Sequence, residues 1–512
     1  MLGRNLKSDA KINRKEFRNR ILGCWTGKNI GGTLGAPFEH SHDFLDLSFY
    51  AQDLCGEPTP NDDLDLQLMW LLSVEEKGLY HINERVLSEY WLEHLTAPWA
   101  EYGVGSCNQR AGLPPPLSGY CNNDTWKYSN GAWIRSEIWA CLFPGSPDQA
   151  AEYAWFDACQ DHCGDGIYAE MFTAALESVA FIEKDIRKII QLALARIPAE
   201  SKVAQTVVMA CELYDSGKTL RESRDAIVDF NKDLGWFQAP ANVGFVILGL
   251  LYGEGDFSKA ICCAVNCGDD TDCTGATTGS IMGILLGREG IPSKWIEPIG
   301  ETIQTVAVDR WHLYAPRTLD ELTDRIMKCK AIADLEDPSQ IALTDALTEI
   351  PQKIYDDLTN LEDCKKYLWT RSSRCVRYDI SWGNLYIEYP EQGSFTPGIP
   401  GTMTMAYVSA FRDNEVLSVK WRLPESWSMD CGRELMLGVT QGLKGHRSFN
   451  LTPGDFDGIV YLELEVRLSG LMRPQIITIP IQRTGAFDAG HDNGFGIEYQ
   501  QIWRNDLCRQ KK

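Results

Sequence analysis

Gly23, Gly27, Gly31 and Gly35 recur at every fourth position, and Gly275, Gly279, Gly283 and Gly287 repeat that spacing far along the chain. Four-residue spacing places each set on one face of a helix. A glycine inside a helix costs roughly 1 kcal/mol relative to alanine. Eight of them therefore need compensation, and close approach of two backbones is the usual source. Such stripes also occur in membrane helices, but Lys28 and Asn29 interrupt the first and the apolar runs are too short to span a bilayer. The pattern predicts two tightly packed core helices. If they run antiparallel, Pro37-Phe38-Glu39 at the end of the first lies beside Asp270 and Asp272 at the start of the second, which would bring Glu39 to those acids. A glycine stripe can also face another neighbour.

Acids crowd the mouths of two apolar helices. Asn61-Asp62-Asp63-Leu64-Asp65 runs into Leu66, Leu68, Met69 and Trp70, and Gly268-Asp269-Asp270-Thr271-Asp272-Cys273 runs into the second glycine stripe. Helix N-termini favour negative charge, so either cluster alone reads as an acidic cap. Two of them, each entering a core helix, favour a hard divalent cation bound by oxygen, such as Mg²⁺, Mn²⁺ or Ca²⁺.

These residues carry a resemblance. Gly23-Cys-Trp-Thr-Gly27 … Gly32-Thr-Leu-Gly35-Ala-Pro37-Phe38-Glu39 resembles the opening of the ADP-ribosylglycohydrolase family, which includes the dinitrogenase-reductase-activating glycohydrolases. Asn61-Asp62-Asp63 stands where the family has Thr-Asp-Asp, and Asp270-Thr271-Asp272-Cys273 resembles its Asp-Thr-Asp-Thr/Ser. Between them, Asn130-Gly131-Ala132-Trp133-Ile134-Arg135 is similar to a glycine-rich loop ending in Met-Arg. Asp157 to Gly166, with His162, is similar to an Asp…His…Gly segment. The resemblance spans about residues 17–330.

The resemblance implies an all-α ADP-ribosylglycohydrolase-like core with a dinuclear Mg²⁺ (or Mn²⁺) centre that holds ribose hydroxyls and an attacking water. It implies Asn61, Asp62, Asp63, Asp270, Asp272 and Cys273 at the metal positions, and Glu39, Asp63 and Asp270 as catalytic carboxylates. Asn130, Gly131, Ala132 and His162 would bind substrate, although His162 reads equally as a satisfied histidine in a helix-entry loop. A ribosyl bond breaks through an oxocarbenium-like transition state, which needs an oriented nucleophile and a carboxylate to move protons. Bound metal supplies orientation and acidifies water. The chain departs from the pattern at Asn61, Leu64 and Cys273, each standing where the family has a hydroxyl residue. Cys273 is a soft ligand for Mg²⁺, with Thr274 as a substitute one residue on, so the second ion and the substrate are the open points.

At 512 residues and a formal charge of −22, the chain is long enough for two domains and too acidic to bind nucleic acid through its phosphates. Arg110 and Arg135 are candidate partners for an anionic substrate. The seventeen cysteines, scattered through apolar segments without zinc spacing, read as reduced thiols. The polar N-terminus and the lack of long apolar runs suggest a cytoplasmic protein with no membrane partner. Leu113 to Asp124, proline-rich, reads as a long loop, with Trp99, Tyr120, Trp126, Tyr128 and Trp133 as either walls for a sugar or base, or packing beneath it. Helices are expected from Phe181 and after Ser223.

Near residue 365 the period changes to two, as in Val419-Trp421-Leu423, Leu462-Leu464-Val466-Leu468 and Ile477-Ile479-Ile481. This predicts a helical catalytic domain over 1–360 and an accessory β-sandwich over 370–512, with immunoglobulin-like order as one candidate. A chain ending near residue 360 is expected to fold by itself. The accessory domain could bind carbohydrate, cover the cleft, or form a homodimer, and Trp382, Tyr386 and Tyr389 read as exposed aromatics or, more readily, as core residues. Three functions follow: a metal-dependent glycohydrolase cleaving an ADP-ribosyl N- or O-glycosidic bond; a same-fold glycosidase acting on another furanoside or nucleoside; and a non-catalytic, crystallin-like relative. Clustered acids at the core argue against the third.

Overall fold

The computed structural model describes residues 9–310, 312–337, 340–359, 371–410, 414–439 and 445–485. The expected switch near residue 365 and the tail beyond 485 lie outside them. Among the described residues, seventeen α-helices precede a region of antiparallel sheets.

The first glycine helix, Arg14–Gly35, begins at Asn13, whose side chain accepts from the backbone N–H of Lys15 and Glu16. It packs antiparallel on the second, Thr271–Leu286. A Cβ added at Gly23, Gly27 or Gly31 would stand 2.3, 1.9 or 1.8 Å from the carbonyl oxygen of Gly283, Gly279 or Gly275. The two backbones thus touch where side chains would otherwise part them. The outermost glycines differ. Gly35 meets Thr271, whose hydroxyl donates to the Gly35 carbonyl at 2.9 Å. Gly287 ends its helix at φ 69°, a left-handed conformation that favours glycine, and faces Asn19.

A short parallel pair, β1 (Lys11–Asn13) with β2 (Ala342–Thr344), ties the two ends of the helical unit together. The helix expected from Phe181 starts at Ile186, because Asp185 caps it. The helix after Ser223 starts earlier, at Leu220, on a Thr219/Glu222 capping box.

The chain forms two compact units, and the second is discontinuous in sequence: 98–127, 159–161 and 371–512. Its sheets run β3 (Cys375–Ile380), β4 (Gly383–Glu388), β5 (Gly401–Ser409), β9 (Gly445–Thr452), β7 (Ser428–Met429) in one, and β11 (Gln475–Gln482), β10 (Ile459–Leu468), β6 (Glu415–Arg422), β8 (Glu434–Val439) in the other. Val419, Trp421, Leu462, Leu464, Ile477 and Ile479 point into one core with Met403, Met405 and Tyr407, as the period of two requires. The order is not the immunoglobulin one: β3, β4 and β5 form a meander within one sheet, whereas immunoglobulin order sends the third strand to the opposite sheet. Tyr389 is core, and Trp382 and Tyr386 are half-buried. The proline-rich segment contributes Leu113, Leu117 and Cys121 to the same core and carries a short helix at Leu117–Tyr120.

Every described cysteine is a free thiol. No described helix is long and apolar enough to cross a membrane.

Candidate active site

The antiparallel glycine helices deliver Glu39 to the acids of the second. The segment after the first helix pairs with the turn before the second: His40 N–H donates to the Asp269 carbonyl at 2.8 Å, and Asp269 N–H to Ser41 at 2.6 Å. Glu39, Asp270 and Asp272 can then bring one carboxylate oxygen each within 4.8 Å of one another. Asp63, Asp272 and Cys273 form a second such group. Asp63 arrives on the helix Asp62–Lys77, whose N-cap is Asn61.

Electrostatics is unfavourable for this protein left to itself. Asp63, Asp270 and Asp272 are buried, and neither oxygen of Asp270, nor Oδ1 of Asp272 or of Asp63, finds a hydrogen-bond partner among the described residues. Burial, reinforced by the charges of Asp272 and Glu39, pushes the Asp270 carboxyl well above the ordinary carboxylate range. Burial and the Glu39 charge push Asp272 up to about 7. Burial likewise raises Asp63, against the opposing charge of Lys28. Buried polar groups are ordinarily satisfied, so orphaned hard oxygens converging on one point fit a divalent cation. Among the described residues, Glu39, Asp270 and Asp272 form the all-carboxylate group.

Other acids of the two clusters have structural work. Asp65 accepts from the backbone N–H of Val306 at 2.5 Å and Ala307 at 2.7 Å, and burial still pushes it up to about 8. Asp269, at φ 66°, accepts from Phe237 N–H and from Asn242, and so pins the turn that aims Asp270. Asn61 Oδ1 caps its helix by accepting from Asp63 N–H at 2.8 Å. Asp62 is half-buried beside Asp63, and Leu64 is buried. Cys273 donates its thiol to Asp63 Oδ2 at 3.6 Å. The Thr274 hydroxyl donates to the Thr271 carbonyl at 3.2 Å.

Sequence reasoning missed Lys28. Its ammonium is buried with 1% exposure, donates to Glu137 Oε1 at 2.6 Å and the Ile134 carbonyl at 2.7 Å, and stands 3.6 Å from Asp63 Oδ1. Gln67 closes the network, donating to Glu137 Oε2 and accepting from Ile138 N–H. A lysine between two helix-packing glycines was the available signal, since it must find an acid inside the core.

Asn130 is also buried, with its carbonyl oxygen accepting from Trp133 Nε1 at 3.0 Å. Its neighbour Ser129 bridges to Gln238, next to the Phe237 turn that binds Asp269. Lys28, beside Asp63, bonds the Ile134 carbonyl two residues after Ala132. His162 is buried and meets the Ser129 hydroxyl at 3.2 Å. Arg135 is not available to an anion: it is buried, paired with Asp157 at 2.7 Å, bonded to the Gly131 carbonyl at 2.9 Å, and stacked over Trp91. Arg110 is exposed on the second unit. Two stacked pairs, His40 on Phe237 at 4.6 Å and His42 on Trp236 at 4.2 Å, flank the site: His40 follows Glu39 in the chain, and Phe237 N–H donates to Asp269.

Helices paired through glycine, with buried carboxylates gathered at one end, define a class of helical proteins whose acidic centre can take a metal ion. The sequence model of the ADP-ribosylglycohydrolase family matches residues 13–329. The chain belongs to that family. It is similar to an ADP-ribosylarginine hydrolase, Tri1, of Pseudomonas putida (strain GB-1), with 26% identity over 113 residues, or 22% of this chain and 26% of that protein. It is similar in structure to a chain of an ADP-ribosylglycohydrolase-related protein complex, with 18% identity and a TM-score of 0.41, covering 62% of this chain and 99% of that one.

Proposed function

We propose that the chain is a metal-dependent hydrolase that releases ADP-ribose from an N- or O-glycosidic linkage, with a linkage to arginine as the first candidate because its relative's name carries that bond. The observation supporting it is the orphaned Asp270 carboxylate facing Asp272 and Glu39. Asp270, Asp272 and Glu39 would hold Mg²⁺ or Mn²⁺, with Asp63 and Asp62 alongside. Such an ion, when bound, orients ribose hydroxyls and acidifies water. Glu39, half-buried and 3.2 Å from His40 Nε2, takes the proton of the attacking water. The Asn130-Gly131-Ala132 turn, anchored by Arg135, supports the distal part of the substrate, and His162 backs it through Ser129.

The test is release of free ADP-ribose from arginine-linked, serine-linked and O-acyl ADP-ribose with Mg²⁺ or Mn²⁺, against a chelator control. Release from none of them overturns the reading. Leu64 and Cys273, where the family carries hydroxyls, favour a second reading in which another furanoside or nucleoside is cleaved. Free pentose from a nucleoside panel, without ADP-ribose release, would select it.

A further inference from the structure

The glycohydrolase reading leaves Lys28 without a task. Its ammonium donates to the Ile134 carbonyl and to Glu137 Oε1, and forms an ion pair with Asp63 Oδ1 at 3.6 Å, too long for a hydrogen bond. The other oxygen of Asp63 accepts from the Cys273 thiol. Among the described residues, Asp63 Oδ1 has no hydrogen bond, like both oxygens of Asp270 and Oδ1 of Asp272, but it alone of these atoms has a cation beside it, the Lys28 ammonium at 3.6 Å.

The two candidate ligand groups divide along the same line. Glu39, Asp270 and Asp272 supply three hard oxygens. Asp63, Asp272 and Cys273 supply two carboxylates, one beside a fixed ammonium, and a thiol that suits soft ions. The groups share Asp272, so a second ion would also divide that ligand. An ammonium beside Asp63 already balances the charge that a second ion would balance, and it repels that ion in a setting screened little by water.

We infer that the centre holds one divalent cation, at Glu39, Asp270 and Asp272, and that the Lys28 ammonium stands in for a second ion beside Asp63. This rests on the metal-dependent reading above and fixes its stoichiometry.

The experiment strips the full chain with a chelator, titrates Mn²⁺ by calorimetry and records the electron paramagnetic resonance of the bound ion. One Mn²⁺ per chain, with the six-line signal of an isolated ion, is the expected result. Two Mn²⁺ per chain with an exchange-coupled signal overturns the inference and leaves the metal-dependent reading standing. No bound Mn²⁺ overturns both. Lys28→Met alone leaves Asp63 and Glu137 uncompensated, so the companion variant is Lys28→Met with Glu137→Gln, which removes one charge of each sign. Folded by circular dichroism, it should take up a second Mn²⁺. If it still binds one, the assignment of Lys28 falls, and the native stoichiometry decides the ion count in either case.

Discussion

A Cβ on Gly27 would lie 1.9 Å from the carbonyl oxygen of Gly279, and a Cβ on Gly279 would lie 2.1 Å from the carbonyl oxygen of Gly27. The clash is with backbone in both directions, so no rotamer relieves it. Gly27→Ala should destabilise the chain by about 3 kcal/mol, the upper part of the range for overpacking. Gly438→Ala, where an added methyl meets nothing within 4 Å, is the control and should be near neutral. Chemical denaturation of the two variants checks the contrast.

Asp270→Asn should change stability in opposite directions with and without metal. In chelator, it removes one of several crowded buried carboxylates and should raise the melting temperature. With saturating Mn²⁺ the native chain gains stability through binding, and the variant should lose most of that gain. Thermal unfolding of both proteins in both buffers reads the four values. Equal metal-induced shifts would remove Asp270 from the ligand set.

Glu39→Gln keeps an oxygen that can face the ion but loses the proton acceptor. Turnover should fall roughly 10²–10⁴-fold, the usual share of general acid–base catalysis, while Mn²⁺ still binds with reduced affinity. Parallel calorimetry and rate measurements separate the two effects. Loss of rate in strict proportion to loss of metal would leave Glu39 as a ligand only.

Arg135→Met should cost about 3–5 kcal/mol, because it leaves the Asp157 carboxylate buried without its partner. An arginine serving an anionic substrate would instead raise KM with little change in stability. Urea titration and KM, measured on the same variant, distinguish the roles.

The glycine spacing made the central helix pair and its direction legible, since a four-residue stripe on two helices has few uses other than backbone contact. The placement of Glu39 beside Asp270 and Asp272 followed from that direction. The Lys28–Glu137 pair did not, because two charged residues 109 positions apart carry no local pattern. Arg135 looked available because sequence does not show that Asp157 is its partner. Within the two acid clusters, spacing could not separate Asp269 and Asp65, which hold backbone turns, from Asp270, whose oxygens find no hydrogen-bond partner among the described residues. The sandwich strands were plain from their alternation. Their share in a core with Leu113 and Leu117 was hidden, because a proline-rich run reads as a loop whatever it packs on.

The discontinuous second unit has a consequence during synthesis. Leu113, Leu117 and Cys121 leave the ribosome early, yet the strands that share their core begin only at Cys375. At about 5–20 residues per second, these apolar side chains wait roughly ten to fifty seconds for their partners. In that interval the newborn chain shows surface that holdase chaperones recognise. Slow translation between residues 127 and 371 should therefore lower the yield of folded protein more than slow translation near the N-terminus.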